Sequence, residues 1–208
     1  GLDLVDALTG PAIGRAKSAT YRTADIVGLD TMDHVLKGSA RALPQDPWRT
    51  YYAVPAWLET LLAKGALGQK TGAGIYASKG KQVFDPAVGA YQAAGAKPDE
   101  AVQAILKLKN PAEKFAALRA SDHPQAQFLW AIHRDVFHYA AVLLVEIADN
   151  ARDVDFAIRW GYGWNLGPFE IWQAAGWKQV AAWIKEDIAA SKALTATPLP
   201  DWVDRIDG

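Results

Sequence analysis

The sequence predicts a mainly helical protein with one short β-hairpin. Apolar residues recur at steps of three and four over several segments, and the longest covers residues 124–146. Proline, aspartate or asparagine begins three of these segments, which is typical of helix N-termini. Residues 74–84 depart from this period. Their glycines and aromatic side chains predict a hairpin that turns on Gly80.

The other helices follow from their start and stop signals. Residues 55–67 carry an apolar face that ends among glycines. The segment 98–100 begins a helix, because proline suits the first turn and acidic side chains favour the positive helix end. Asn110 and Glu113 have the spacing of a capping box. A last amphipathic helix is predicted over residues 178–192.

The domain organisation is predicted from a change in composition. Residues 86–97 are rich in alanine and glycine and show little periodicity, which is typical of a linker. They separate a first part, residues 1–85, from a helical second part, residues 98–208. The 208 residues, 50% of them hydrophobic, suffice for one domain or two small ones.

A weak internal repeat relates the two parts. Val5-Asp6 precedes the apolar segment 21–29, and Val154-Asp155 precedes the segment 169–177 at nearly the same distance. The second copy follows the long helix at 124–146, whereas no such helix precedes the first. We therefore expect a duplicated helical domain whose first copy is truncated.

Composition excludes several classes of function. Lys and Arg number 22 against 23 Asp and Glu, which argues against nucleic acid or an anionic membrane as the main partner. The chain has no cysteine, so disulfides, thiolate metal sites and cysteine nucleophiles are excluded. No apolar run reaches the length needed to span a bilayer and no signal peptide is recognisable, so we expect a soluble, cytoplasmic protein.

The histidines favour neither a metal site nor an independent active site. None has the spacing of a metal-binding motif, and His133 and His138 are five residues apart, a poor match to one helix face. His133 with Asp135 or Asp153 would make an acid–base pair, but no nucleophile or oxyanion site accompanies it. An independent histidine enzyme is therefore the most remote alternative.

Two glycine-rich segments resemble nucleotide loops without meeting their requirements. Residues 161–167 read G-x-G-x-x-x-G, but helix precedes them and Pro168 follows, so they predict a helix–helix turn. Residues 68–72 place Lys70 between glycines without the full phosphate-loop spacing. Lys70 could contact an anion or a cofactor, although a solvated turn lysine is the more common outcome.

The nine tryptophans allow two interpretations. Six of them lie at or after Trp160. They fit a helical core or interface, which we favour, and they also fit an exposed aromatic wall for a flat or acyl ligand. Their spacing does not distinguish the two.

Three segments of the first part resemble the C-terminal region of 3-hydroxyacyl-CoA dehydrogenases: residues 5–11, 18–30 and 68–76. Residues 153–170 are similar to a duplicated second copy of the same domain, as found in multifunctional fatty-acid β-oxidation proteins that also carry an enoyl-CoA hydratase domain. The resemblance implies an all-α fold, a duplicated helical domain of the 6-phosphogluconate-dehydrogenase-C-terminal-like type.

The resemblance also implies a reaction, the NAD-dependent oxidation of 3-hydroxyacyl-CoA to 3-ketoacyl-CoA. In this family a Rossmann domain holds NAD and supplies a His base oriented by a Glu, and an Asn lies in an N-R motif. None of these groups is present here, and His133-Arg134 stands at the N-R position of the second copy. We therefore expect no catalytic residue in this chain and no activity of the chain alone. The implied partners are acyl-CoA, an upstream Rossmann domain, a downstream hydratase domain and a second copy in a homodimer.

Two site residues follow from the family motifs. Lys70 matches the lysine of K-T-G-x-G-F-Y that approaches the nicotinamide end of NAD, with Ile75 in place of Phe. Trp160 stands where multifunctional members have a substrate-contacting Tyr; it keeps the aromatic face and loses the hydroxyl. The alternative to this dehydrogenase role is a non-catalytic helical interaction or dimerisation module.

Overall fold

The computed structural model describes residues 1–206, which divide into two compact units. Unit 1 comprises residues 1–11 and 17–97, and unit 2 comprises residues 12–16 and the chain from residue 98 onward. Helices dominate and one small three-stranded sheet accompanies them, which confirms the predicted fold class.

Unit 1 contains four α-helices and the sheet. The elements are α1 (Leu2–Thr9), α2 (Tyr21–Val27), α3 (Leu29–Ala42), α4 (Ala56–Ala63), β1 (Tyr76–Ala77), β2 (Gln82–Asp85) and β3 (Ala90–Ala93). Leu29, Leu58 and Leu61 from α3 and α4 are fully buried and form one cluster with Ile75 and Phe84. The core of unit 1 therefore lies between these helices and the sheet.

The sheet is antiparallel in the order β1-β2-β3 and contains the predicted hairpin.

The predicted linker, residues 86–97, requires correction, because it contains β3. Tyr91 on β3 packs edge-on against Phe84 at a ring distance of 5.7 Å, and its hydroxyl donates to the Gly74 carbonyl. Further along, the N–H groups of Gly95 and Ala96 donate to the Asp3 carboxylate. β3 has the sequence Ala-Tyr-Gln-Ala and therefore lacks the alternation of apolar and polar side chains by which a strand is predicted.

In its described residues, unit 2 contains five α-helices, of which the third along the chain is the longest. They are α5 (Glu100–Leu106), α6 (Pro111–Ala120), α7 (Pro124–Ile147), α8 (Ala151–Tyr162) and α9 (Pro168–Ala189). The core is aromatic: Phe137 of α7 stacks on Trp172 of α9 at 5.6 Å, and Trp172 stacks on Trp177 at 4.1 Å. Burial of these two tryptophans agrees with the core interpretation that the sequence favoured.

Local signals set most of the helix starts in unit 2. The Asp99 carboxylate accepts from the N–H of Ala101 at the start of α5, and the Asn110 side chain accepts from that of Ala112 at the start of α6. The Glu113 carboxylate accepts a hydrogen bond from the side-chain amide of Asn110, at 3.3 Å. The apolar segment 169–177 and the helix predicted at residues 178–192 form one helix, α9. This helix is interrupted at Gly176, which adopts φ 96° and ψ 92°.

Within the described residues, α7 meets the length and hydropathy criteria for a membrane span. This corrects the expectation that no apolar segment is long enough. Half of its apolar window is buried inside the protein. A buried core helix passes the same test, so the match is weak evidence for a span.

Candidate functional site

Two aspartates occupy equivalent places in the two units. Asp6 on α1 accepts from the N–H groups of Tyr21 at 2.6 Å and Arg22 at 3.0 Å, where α2 begins. Asp155 on α8 accepts from the N–H of Phe169 at 2.8 Å, where α9 begins. Each carboxylate therefore satisfies free donors of a following helix.

A third buried carboxylate, Asp25 on α2, holds the glycine-rich loop that contains Lys70. It accepts from the N–H groups of Ile75 and Tyr76, each at 2.8 Å. Burial raises the pKa of Asp25, and the negative charge of Asp6 acts in the same direction, whereas the two backbone hydrogen bonds lower the pKa. The Tyr76 hydroxyl donates to Asp6 at 2.7 Å, so the two carboxylates and the loop form one connected network.

The loop glycines are explained by close approach to Asp25. A Cβ on Gly74 would overlap the Asp25 carboxylate, and a Cβ on Gly68 would overlap the Asp25 carbonyl. Gly68 also has φ +104°, which side-chain-bearing residues rarely adopt. These glycines therefore serve the packing of the loop on α2.

Lys70 lies in the short turn Gln69–Thr71 at the surface of unit 1. Its Nζ contacts both carboxylate oxygens of Asp30, at 2.5 and 2.6 Å. The hydrogen bond from Lys70 lowers the pKa of Asp30. The lysine and aspartate side chains are 47% and 39% exposed, so this ion pair is open to a ligand. Sequence reasoning identified Lys70 and missed its partner, although Asp30 lies in the segment that carries the family resemblance.

A cavity of about 440 Å³ adjoins the same loop. Its walls include Arg22, Asp25, Gly68, Gln69 and Tyr76, and Lys70 is not among its lining residues. The Arg22 guanidinium lies over the Tyr76 ring at 4.0 Å, which places a cation beside an aromatic surface. Lys70 therefore faces a surface shared with Asp30 rather than this cavity.

Trp160 lies on the outer surface of α8 in unit 2. Its side chain is 80% exposed and stacks on Phe156 at a ring distance of 4.9 Å. The Arg152 guanidinium lies over the Phe156 ring at 4.9 Å. Trp160 thus differs from the buried Trp172 and Trp177 and offers an exposed aromatic face. It belongs to unit 2, whereas Lys70 belongs to unit 1.

The histidines make no catalytic pair. His133 and His138 of α7 are buried and contact the carbonyl oxygens of Leu129 and Thr197, each at 2.7 Å. Asp135, the acid considered for His133, is bound by the Arg134 guanidinium at 2.8 Å. Among residues 1–206, no three His, Asp or Glu side chains are grouped as a metal site would require.

Comparison with known proteins finds a family match in the first part of the chain. Residues 3–78 match the family "3-hydroxyacyl-CoA dehydrogenase, C-terminal domain". The chain is also 40% identical over 195 residues to a probable 3-hydroxyacyl-CoA dehydrogenase of Bacillus subtilis, covering 88% of this chain and 25% of that protein.

More distant relatives extend the comparison. A putative fatty acid oxidation complex trifunctional enzyme of Rickettsia felis is 26% identical over 175 residues, covering 81% of this chain and 23% of that protein. The crystal structure of 3-hydroxybutyryl-CoA dehydrogenase from Escherichia coli has the same fold, with a TM-score of 0.59 at 15% identity over 98% of this chain and 53% of that one. The chain spans about a quarter of the length of these two curated relatives.

Proposed function

We propose that this chain is the C-terminal, substrate-side region of an NAD-dependent 3-hydroxyacyl-CoA dehydrogenase that oxidises 3-hydroxyacyl-CoA to 3-ketoacyl-CoA in fatty-acid β-oxidation. The observation that carries the proposal is the similarity of 88% of the chain, at 40% identity, to the Bacillus dehydrogenase. Asp6, Asp25 and the Lys70 loop form one connected network, which gives the residues of the family-like motifs a structural role in this chain.

Lys70 is proposed to contact the nicotinamide end of NAD. An ammonium group has three donors, and the two Asp30 oxygens engage two of them, so one N–H remains for a cofactor oxygen. When bound, NAD accepts the hydride from the carbon that carries the 3-hydroxyl group. The described residues offer this single contact and no parallel sheet of the Rossmann type, so most of the cofactor binding is assigned to an upstream Rossmann domain.

The remaining roles are assigned with the same reasoning. Trp160 is proposed as an apolar surface for substrate, since its exposed ring can pack against an acyl-CoA. Because His133 and His138 are buried against the carbonyl oxygens of Leu129 and Thr197, the chain alone is proposed to be inactive. The proposed setting is a cytoplasmic multifunctional enzyme, with a downstream enoyl-CoA hydratase domain and a second copy of itself as partners.

The alternative is a non-catalytic helical interaction or dimerisation module. It is favoured by one observation, the exposed apolar side chains near the end of α7 and on α8: Val145, Ile147, Trp160 and Tyr162. Under this alternative, changes at Lys70 would leave enzyme kinetics unaffected.

The test is Lys70→Ala in the product of the complete gene. We expect the KM for NAD to rise by about tenfold, because one charge-assisted hydrogen bond is lost, and the KM for acyl-CoA to change much less. Lys37→Ala is the matched control, since Lys37 also pairs with an aspartate, Asp33, at 2.8 Å. Unchanged cofactor kinetics in Lys70→Ala would remove Lys70 from the site.

A further inference from the structure

Unit 2 contains a cavity of about 200 Å³ to which α5, α6, α7 and α9 contribute residues. Its lining is mainly apolar and includes Phe115, Leu118 and Ile171, and its nitrogen-bearing side chains are those of Lys114, His133 and Asn165. An apolar chamber with a few polar groups is the usual design of a small-molecule site.

His133 is the buried nitrogen-bearing side chain in the lining of this cavity. It is 5% exposed, and its Nδ1 lies 2.7 Å from the Leu129 carbonyl oxygen. A carbonyl oxygen only accepts, so Nδ1 carries the proton and donates it. Burial lowers the pKa of His133 to about 4, which keeps the ring neutral at physiological pH. The other nitrogen, Nε2, is therefore an acceptor, and it has no hydrogen-bond partner among residues 1–206.

Lys114 on α6 also lines this cavity. Its side chain is half-buried and makes no ion pair within the part of the chain that the structure describes. Because His133 and Lys114 both belong to the lining, the two groups border a common space. A ligand in the cavity would therefore meet a buried acceptor, His133 Nε2, and a more exposed cation, Lys114.

We propose that unit 2 binds a short aliphatic hydroxy acid, with its hydroxyl donating to His133 Nε2, its chain against the apolar wall and its carboxylate at Lys114. A cavity of about 150 Å³ accommodates benzene, so this larger one suits a ligand of roughly nine non-hydrogen atoms. The site lies entirely within unit 2 and goes beyond the dehydrogenase role proposed for the chain.

The test is an NMR titration of the isotope-labelled chain with 6-hydroxyhexanoate and with hexanoate, which differ only in the terminal hydroxyl. We expect saturable shifts at Phe115, Leu118 and the His133 imidazole nitrogens. We expect 6-hydroxyhexanoate to bind about fivefold more tightly, the ratio for one net hydrogen bond. Equal affinities for the two acids, or shifts only outside the cavity lining, would overturn the proposal.

Two variants assign the ends of the ligand. His133→Phe should abolish the preference for the hydroxy acid, and Lys114→Met should weaken both acids alike while leaving that preference intact. Lys109→Met, an exposed lysine outside the cavity lining, is the matched control and should change neither. If His133→Phe does not fold, the comparison of the two acids in the unmodified chain still decides the proposal. Loss of dehydrogenase activity in the complete protein would leave this result unaffected.

Discussion

Buried carboxylates that receive backbone N–H groups are the residues on which this structure depends. Asp6, Asp25 and Asp155 each accept from the start of another element, which ties segments far apart in the chain. A carboxylate in such a place is stabilised by the donors and destabilised by the loss of water. For Asp155 the loss of water dominates, and burial raises its pKa to about 6.

This shift predicts a pH dependence of stability. The folded state holds the Asp155 proton more tightly than the unfolded chain, whose ordinary pKa is 3.8. The unfolding free energy contributed by this group is therefore greatest below the unfolded pKa and declines as pH rises through about 6. Relative to Asp155→Asn, the unmodified chain should lose about 2 kcal/mol between pH 3.5 and 7.

Urea unfolding of both proteins across this pH range measures the difference. Asp122→Asn is the control, because Asp122 is exposed and hydrogen-bonds to no residue within 1–206. If the unfolding free energies of the unmodified chain and of Asp155→Asn change in parallel with pH, burial does not raise the pKa of Asp155.

Among individual residues, the sequence predicted some members of the candidate site and not others. Lys70 was found because a family motif surrounds it. Its partner Asp30 is 40 residues away on another element, and no periodicity connects the two. The cavity behind His133 was missed for the same reason, since residues of α5, α6, α7 and α9 meet there only in three dimensions.

The elements themselves were predicted best where a side chain caps the backbone. α5 and α6 begin after Asp99 and Asn110, whose side chains accept from the first free N–H groups, and α7 begins at Pro124, which has no N–H to leave unsatisfied. β3 was missed because strand pairing is a long-range property: Tyr91 lies opposite Phe84, and the residues around it are small. α9 continues through the predicted start of the last helix at residue 178, because the chain resumes the helix after one non-helical residue, Gly176.

The packing of the Lys70 loop on α2 depends on Gly74. In Gly74→Ala, the new methyl group would overlap the Asp25 carboxylate and displace it from the N–H groups of Ile75 and Tyr76. We expect the unfolding free energy to fall by about 2 kcal/mol or more. Gly38→Ala in α3 is the matched control, because Gly38 has no neighbour within 4 Å and should gain up to about 1 kcal/mol.

Chemical denaturation monitored by circular dichroism separates the two changes. A Gly74→Ala protein as stable as the unmodified chain would mean that the loop does not depend on close approach to Asp25.

For the whole molecule, the two Val-Asp pairs of the sequence coincide with similar contacts in the two units. Asp6 and Asp155 each accept from the start of the following helix in their own unit. Unit 1 includes the Lys70 loop and a sheet, and unit 2 has an aromatic core with a cavity of its own. The duplication of one helical domain stays a prediction from the sequence.

The assignment to a dehydrogenase is tested most directly by turnover of acetoacetyl-CoA with NADH, followed by the loss of NADH absorbance. The product of the complete gene and the 208-residue chain are assayed at equal molar concentration. The complete protein is predicted to reduce acetoacetyl-CoA, and the chain alone is predicted to show no turnover. Turnover by the chain alone, or none by the complete protein, would contradict the proposed function.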